Sequence, residues 1–186
     1  MITYISILRG INVSGQKNIK MDVLREQYDG LKFLNIKSYI QSGNVIFQFK
    51  KSENAQLEKM ISSQIQKKFG FEVSVIVLTM EEMKELIERN PFKADKTKDN
   101  SFLHVTILTS KPEQINIETI NEVKLPGEEF ELSERVVYLY CPDGYGKTRL
   151  SNTFFEKKLK VGATTRNWRT TLELLNIAEG LGMRDQ

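Results

Sequence analysis

I-K-S-Y-I-Q-S-G-N-V-I-F-Q-F, residues 36–49, is the stretch that decides the fold. Two runs rich in β-branched and aromatic residues, Ile36–Gln41 and Val45–Phe49, flank Ser42-Gly43-Asn44, a tight-turn sequence, so the spacing predicts a β-hairpin. Before it, Met21, Leu24, Tyr28 and Leu31 recur at helical spacing and predict a helix from about Met21 to Phe33. Earlier still, Thr3 to Leu8 is an apolar run that ends at Arg9-Gly10 and reads as a buried strand. After the hairpin, Leu57, Met60, Ile61, Ile65 and Phe69 mark a second helix, with Gly70 where a C-terminal cap belongs. Val73 to Leu78 supplies a fourth strand. The order is β-α-β-β-α-β, the ferredoxin-like pattern.

The remainder repeats that order without repeating residues. Thr79 and Glu82 form a capping box for a helix carrying Met83, Leu86 and Ile87, and Asn90-Pro91 stops it. Phe102–Leu108 reads as a strand, and a weak helix follows Pro112. Strands near Phe130–Leu132 and Val136–Tyr140 come next, then a helix from about Leu150 to Leu159 and an extended piece at Ala163–Asn167. Thr170 and Glu173 read as a second capping box, opening a last helix through Leu172, Leu175, Ala178 and Leu181. The fold class is therefore α+β, with two ferredoxin-like halves and mainly antiparallel sheets. The expected division is 1–79 for the first half and 80–186 for the second, which carries extra helices.

Composition narrows the function classes. In 186 residues there is one cysteine, Cys141, and one histidine, His104, so neither an internal disulfide nor a zinc cluster can form. No metal and no cofactor is expected. No apolar run reaches the roughly 18–20 residues of a membrane helix, and Met1–Arg9 is too short and strand-like for a signal peptide. A reducing cytoplasm is the simplest setting, without membrane association. The net charge is only +3, but its distribution is uneven. Residues 111–134 are acidic, whereas Lys147, Arg149, Lys157, Lys158, Lys160, Arg166 and Arg169 face only Glu156 between residues 144 and 169. Arg9, Lys17 and Lys20 have no acid among them. Blocks of this kind also occur as plain solvated faces.

Three motifs carry the charge. R-G-I-N-V-S-G-Q-K-N, residues 9–18, has glycines that free the backbone to turn N–H groups toward an anion, with Arg9 and Lys17 adding charge. It also reads as a βα connection that needs glycine for its turns. C-P-D-G-Y-G-K-T, residues 141–148, lies between a strand and a helix, as a phosphate-binding P-loop does. However, Cys141 stands at the first glycine position and Pro142 has no N–H to offer, so a glycine turn presenting Lys147 and Arg149 is the better reading. In T-T-R-N-W-R-T, residues 164–170, Arg166 and Arg169 can each fork onto a phosphate or carboxylate. Trp168, the only tryptophan, either stacks on a base or anchors the segment by burial. His104 and Cys141 have no partner recognisable in sequence.

The stretches Y-I-S-I-L-R-G-I-N-V-S-G with K-N-I-K-M, S-Y-I-Q-S-G-N-V-I-F and T-T-R-N-W-R-T-T, taken together, give the chain a resemblance to a widespread bacterial family. It resembles a family of unknown function marked by an L-R-G-I-N-V-G-G start, an S-G-N hairpin and a T-x-R-N-W motif. The resemblance spans nearly the full chain and implies two ferredoxin-like units, but no established activity. It marks Arg9, Gly10, Asn12, Gly15, Asn18, Met21, Ser42, Gly43, Asn44, Arg166, Asn167 and Trp168 as motif positions. Ser14 replaces a glycine of the family pattern, and Lys147-Thr148 stand where Arg and Ser are frequent.

The leading functional expectation is a binder of an anionic, phosphate-bearing ligand, such as a nucleotide-like molecule or single-stranded nucleic acid. The candidate ligand-binding residues are Arg9, Asn12, Lys17, Ser42, Asn44, Lys147, Arg149, Arg166, Asn167, Trp168 and Arg169, with no catalytic residue assigned. Tyr4, Tyr39, Phe47 and Phe49 are candidate stacking aromatics on the strands. Arg9 and residues 166–169 are expected to converge on one anion. The alternatives are a metal-independent enzyme acting on a phosphorylated or carboxylated small molecule, and a structural or oligomerisation module.

Overall fold

The computed structural model describes residues 1–182. The described chain divides into two compact units, Met1–Glu85 with residues 173–182, and Leu86–Leu172.

The first unit begins with β1 (Ile2–Leu8), α1 (Met21–Gly30), β2 (Leu34–Tyr39), β3 (Asn44–Phe49), α2 (Asn54–Phe69) and β4 (Val75–Thr79). Its sheet has the order β2-β3-β1-β4 with antiparallel pairs throughout, which is the ferredoxin-like arrangement. On one face Tyr4, Leu8, Val45, Phe47, Val75 and Val77 pack with Leu24 and Tyr28 of α1 and Leu57, Ile61 and Ile65 of α2. The alternate residues Ile5, Ile7, Ile46, Ile76 and Leu78 are buried too. Burial on both faces accounts for the near-continuous apolar run of β1. α2 ends as its sequence requires, at Gly70 with φ +79°, whose N–H reaches the Gln66 carbonyl at 2.9 Å.

α3 (Met80–Glu88) follows, opened by a reciprocal capping box. The Glu82 N–H donates to Thr79 Oγ1 at 3.1 Å, and the Thr79 N–H donates to Glu82 Oε2 at 2.7 Å. A single 3₁₀ turn (Asn100–Phe102) leads into the second unit's sheet, made of β5 (Leu103–Leu108), β6 (Glu129–Ser133), β7 (Val136–Tyr140) and β8 (Ala163–Asn167). α4 (Ile117–Val123) and α5 (Asn152–Leu159) complete the second βαββαβ unit. The strand order β6-β7-β5-β8, again antiparallel, repeats the first unit's arrangement. Leu108, Val137, Leu139 and Ala163 form a core with Ile120, Phe155 and Leu159.

The last helix, α6 (Trp168–Gly182), starts earlier than the Thr170–Glu173 capping box predicts. Its first turn is capped by Asn167, whose Oδ1 accepts the Thr170 N–H at 2.7 Å, while Thr171 Oγ1 donates to the Asn167 carbonyl at 3.0 Å. Thr170 is thus inside the helix, not at its cap. No helix among the described residues is long and apolar enough to cross a membrane.

Candidate functional site

In the first unit the motif loop 9–18 is held at both ends and exposed between. Ile11 and Ile19 are buried, and residues 13–18 lie in solvent. Asn12 forms the brace. Its Nδ2 donates to the carbonyls of Ile19 (2.9 Å) and Gln41 (2.8 Å), and its Oδ1 accepts the Ile19 N–H (2.7 Å). One side chain thereby closes the loop and ties it to the β2–β3 hairpin. The hairpin meets the loop a second time at Gly43, whose carbonyl accepts the Leu8 N–H at 2.9 Å. A Cβ at Gly43 would stand 2.7 Å from Leu8 Cβ and 2.8 Å from Ile11 Cδ1, so only glycine fits. Ser42 Oγ accepts from Asn44 Nδ2 (2.8 Å), which also reaches the Tyr39 carbonyl (3.2 Å).

Within this frame Gly10, Asn12, Ser14, Gly15 and Lys17 all have positive φ. The N–H groups of Asn12 and Gln16 close the loop on itself, onto the carbonyls of Lys17 (3.3 Å) and Val13 (3.0 Å), and left-handed residues alternate with ordinary ones over positions 10–14, the backbone pattern from which anion-binding nests are built. Lys17 Nζ donates to the Glu72 carbonyl at 2.7 Å and lies 5.9 Å from the Phe71 ring centroid, which fixes its direction beside the loop. Arg9 leaves β1 with its N–H on the Ser74 carbonyl at 2.9 Å. No Asp or Glu occurs before Asp22, and α1 opens immediately after the loop with no side-chain cap.

The second unit brings its two motif stretches together. Loop 141–151 is a series of turns: the Gly144 N–H reaches the Cys141 carbonyl (2.9 Å), and the Lys147 N–H reaches the Gly144 carbonyl (3.1 Å). Ser151, not Thr148, caps α5, so the Gly-Lys-Thr triplet does not open a helix as in a P-loop. Lys147 and Arg149 are exposed. Tyr145, between the glycines, donates its hydroxyl to Thr165 Oγ1 at 3.0 Å and stacks on His104 with ring centroids 4.8 Å apart. Thr165 Oγ1 also lies 2.7 Å from Thr106 Oγ1 and 2.6 Å from Asn152 Oδ1. His104 faces Asn167 across the β5–β8 register. Burial lowers the His104 pKa below 6.5, against a smaller opposing effect of its hydrogen bond to Phe102.

The remaining candidates fall as follows. Asn167 and Arg169 are exposed. Trp168 is only 4% exposed, which fits the anchoring alternative. Arg166 donates from Nη1 to the Thr165 carbonyl at 2.9 Å, and burial lowers its pKa to about 10, so it stays cationic at neutral pH. Arg9 belongs to the first unit and Arg166 to the second. Tyr4 and Phe47 lie within the first core and are not available to stack on a base. Burial, then the Glu128 carboxylate, push the Cys141 thiol up to about 11, which keeps it protonated and poorly nucleophilic. Among the described residues no three His, Cys, Asp or Glu side chains cluster as metal ligands.

The sequence reading missed Thr106, Tyr145, Asn152 and Thr165. The available signal was the period of two, since Thr106 lies on the same face of β5 as His104.

Two antiparallel βαββαβ units in tandem define the class as a double ferredoxin-like α+β protein. The chain belongs to the family described as protein of unknown function DUF1697, whose model matches residues 1–138, in line with the resemblance read from the N-terminal motif. It is similar in fold to the conserved bacterial protein SP0830 from Streptococcus pneumoniae, with a TM-score of 0.70 and 22% identity over 95% of this chain and 98% of that one. No curated protein matches it.

Proposed function

We propose that the protein binds a phosphate-bearing ligand on the loop 9–18. The observation that carries this reading is the run of left-handed residues at positions 10, 12, 14, 15 and 17, set in a loop whose own sequence holds two cations, Arg9 and Lys17, and no Asp or Glu. Such a backbone is strained at its non-glycine positions, which cost about 1–3 kcal/mol each. Asn12 and Gly43 hold it in place regardless of ligand, so the N–H groups are arranged before an anion arrives. Arg9, Lys17 and Lys20 supply the charge that draws a polyanion; the start of α1 is already matched by Asp22, whose carboxylate accepts the Val23 N–H at 2.8 Å.

The two forms of this ligand, a nucleotide-like molecule and single-stranded nucleic acid, differ in the number of phosphates engaged. Calorimetric titration with ATP and gel shift with a single-stranded oligonucleotide, each at about 50 and 200 mM salt, separate them. A nucleic-acid ligand loses affinity over that range with a slope set by the phosphates contacted, and a nucleotide changes less. Arg9→Ala is expected to weaken the observed binding about tenfold, ~1.4 kcal/mol. Binding that ignores salt, or that Arg9→Ala and Lys17→Ala leave unchanged, defeats the proposal.

A further inference from the structure

The helix-covered face of the second sheet carries an anomaly. Along it Leu108, Val137, Leu139 and Ala163 build an apolar core, yet the same face continues into His104, Thr106 and Thr165, joined by Tyr145 and Asn152. Buried hydroxyls cost stability unless hydrogen-bonded, and apolar side chains would fill the same space without that constraint.

The partners of this network assign each of its hydroxyl protons. Asn152 Oδ1 only accepts, so the single proton of Thr165 goes to it at 2.6 Å. Thr165 is then an acceptor toward its other two neighbours, and Thr106 and Tyr145 both donate into it. Every hydroxyl proton is used internally. The network therefore offers no nucleophile, and its effect is to hold the Tyr145 ring in one place. His104 stacks on that ring with planes 23° apart. Its Nδ1 lies 3.2 Å from the Phe102 carbonyl, which also only accepts, so Nδ1 carries the imidazole proton. Nε2 remains as a bare acceptor on a ring fixed from two sides.

The surroundings indicate what Nε2 would accept. Asn167, directly opposite His104 in the strand register, uses its Oδ1 to cap α6, which leaves its Nδ2 as a donor. Lys147 and Arg149 are exposed on the loop that supplies Tyr145. An acceptor and a donor on cross-strand neighbours match a hydroxyl group, and the exposed cations two and four residues beyond Tyr145 on its loop match a phosphate.

We propose that His104, Asn167 and the Tyr145 ring form a second ligand site, within the second unit, for a phosphate ester that carries a free hydroxyl. His104 Nε2 accepts the hydroxyl proton in a hydrogen bond, Asn167 Nδ2 donates to the hydroxyl oxygen, and Lys147 and Arg149 face the phosphate. The site is distinct in its residues from the loop 9–18 and does not depend on it.

His104 is the only histidine, so a two-bond ¹H–¹⁵N spectrum shows a single imidazole. In the free protein it should report the Nδ1-protonated tautomer, and finding the proton on Nε2 overturns the proposal. Titration with ribose 5-phosphate, glycerol 3-phosphate and inorganic phosphate then tests the ligand class. At least one ester should shift Nε2 and bind about tenfold tighter than inorganic phosphate. His104→Gln should remove that preference while leaving the inorganic phosphate affinity in place, and Lys147→Ala with Arg149→Ala should weaken all three. Nε2 unmoved by every probe, or moved equally by inorganic phosphate, refutes the site.

Discussion

Gly43→Ala tests the structural argument for the N-terminal motif most directly, because its cost divides into two parts that a control can separate. The new Cβ would lie 2.7 Å from Leu8 Cβ and within 2.9 Å of two Ile11 side-chain atoms. Leu8 and Ile11 are both fully buried, so neither can swing away into solvent. Overpacking of this kind costs about 1–3 kcal/mol. The residue also has φ +78°, and a Cβ in the left-handed region costs roughly 1–2 kcal/mol more. Alanine stiffens the unfolded chain and returns about 0.4–1 kcal/mol. The net expectation is a loss of about 1–4.6 kcal/mol. Gly70→Ala is the control, since Gly70 has nearly the same φ of +79° with nothing within 4 Å of its ideal Cβ. It should therefore show the conformational part alone. Urea denaturation of both variants, followed by circular dichroism, gives the difference. Gly43→Ala should be worse by about 1–3 kcal/mol. Equal losses would mean that the hairpin does not press on Ile11, and that the loop is not braced as described.

Three further outcomes follow from local geometry. Asn167→Ala should destabilise by about 1 kcal/mol through loss of the α6 cap, whereas Glu173→Ala should stay within about 0.5 kcal/mol; equal effects would restore the Thr170–Glu173 capping box. Cys141, with its thiol pushed up to about 11, should resist iodoacetamide at pH 8 in the folded protein and react promptly in urea, and rapid labelling of the native state would contradict its environment. Trp168→Ala should cost about 3–5 kcal/mol, with wild-type emission at the short wavelengths of a buried indole; a loss below about 1 kcal/mol would put the ring back among the ligand contacts.

The architecture was legible because its signals are local and mutually consistent. The S-G-N hairpin, the Gly70 cap, the Thr79–Glu82 box and the extended run Ala163–Asn167 each depend on a few adjacent residues; the last three occur where the spacing puts them, and the hairpin occurs with its first strand two residues earlier and Asn44 inside the second strand. The start of α6 was misread for the same reason. Thr170 and Glu173 have the right separation, but Asn167 competes for the same first turn and wins, because β8 ends on it and Trp168 is buried just after it. Boundaries of this sort are settled by tertiary contacts and not by capping preference. The His104 cluster was illegible for a different reason. Its members come from β5, the 141–151 loop, α5 and β8, and only the register Thr106↔Thr165 and the reach of Tyr145 bring them together.

The candidate residues also sort by where their polar atoms point, which residue type alone does not reveal. Asn12, Ser42 and Asn44 read as ligand groups because amides and hydroxyls beside glycines suggest recognition. In the structure their polar atoms are used on the chain's own backbone and on each other. Arg166 is the arginine most prominent in its motif, yet its guanidinium reaches the carbonyl of the preceding residue, and Trp168 is buried beside it in sequence. Arg169, Lys147 and Arg149, candidates from the same motifs, are exposed, and Asn167 is exposed too but uses its Oδ1 to cap α6. A motif dense in polar groups is therefore a frame with a few outward positions. The frame residues should respond to substitution in stability, and the outward ones in affinity with stability nearly unchanged. Asn12→Ala and Lys147→Ala stand on opposite sides of that division. Asn12→Ala leaves the Ile19 N–H and two carbonyls without their partner, at about 1–3 kcal/mol for each group that water cannot reach. Lys147→Ala removes only a solvated charge.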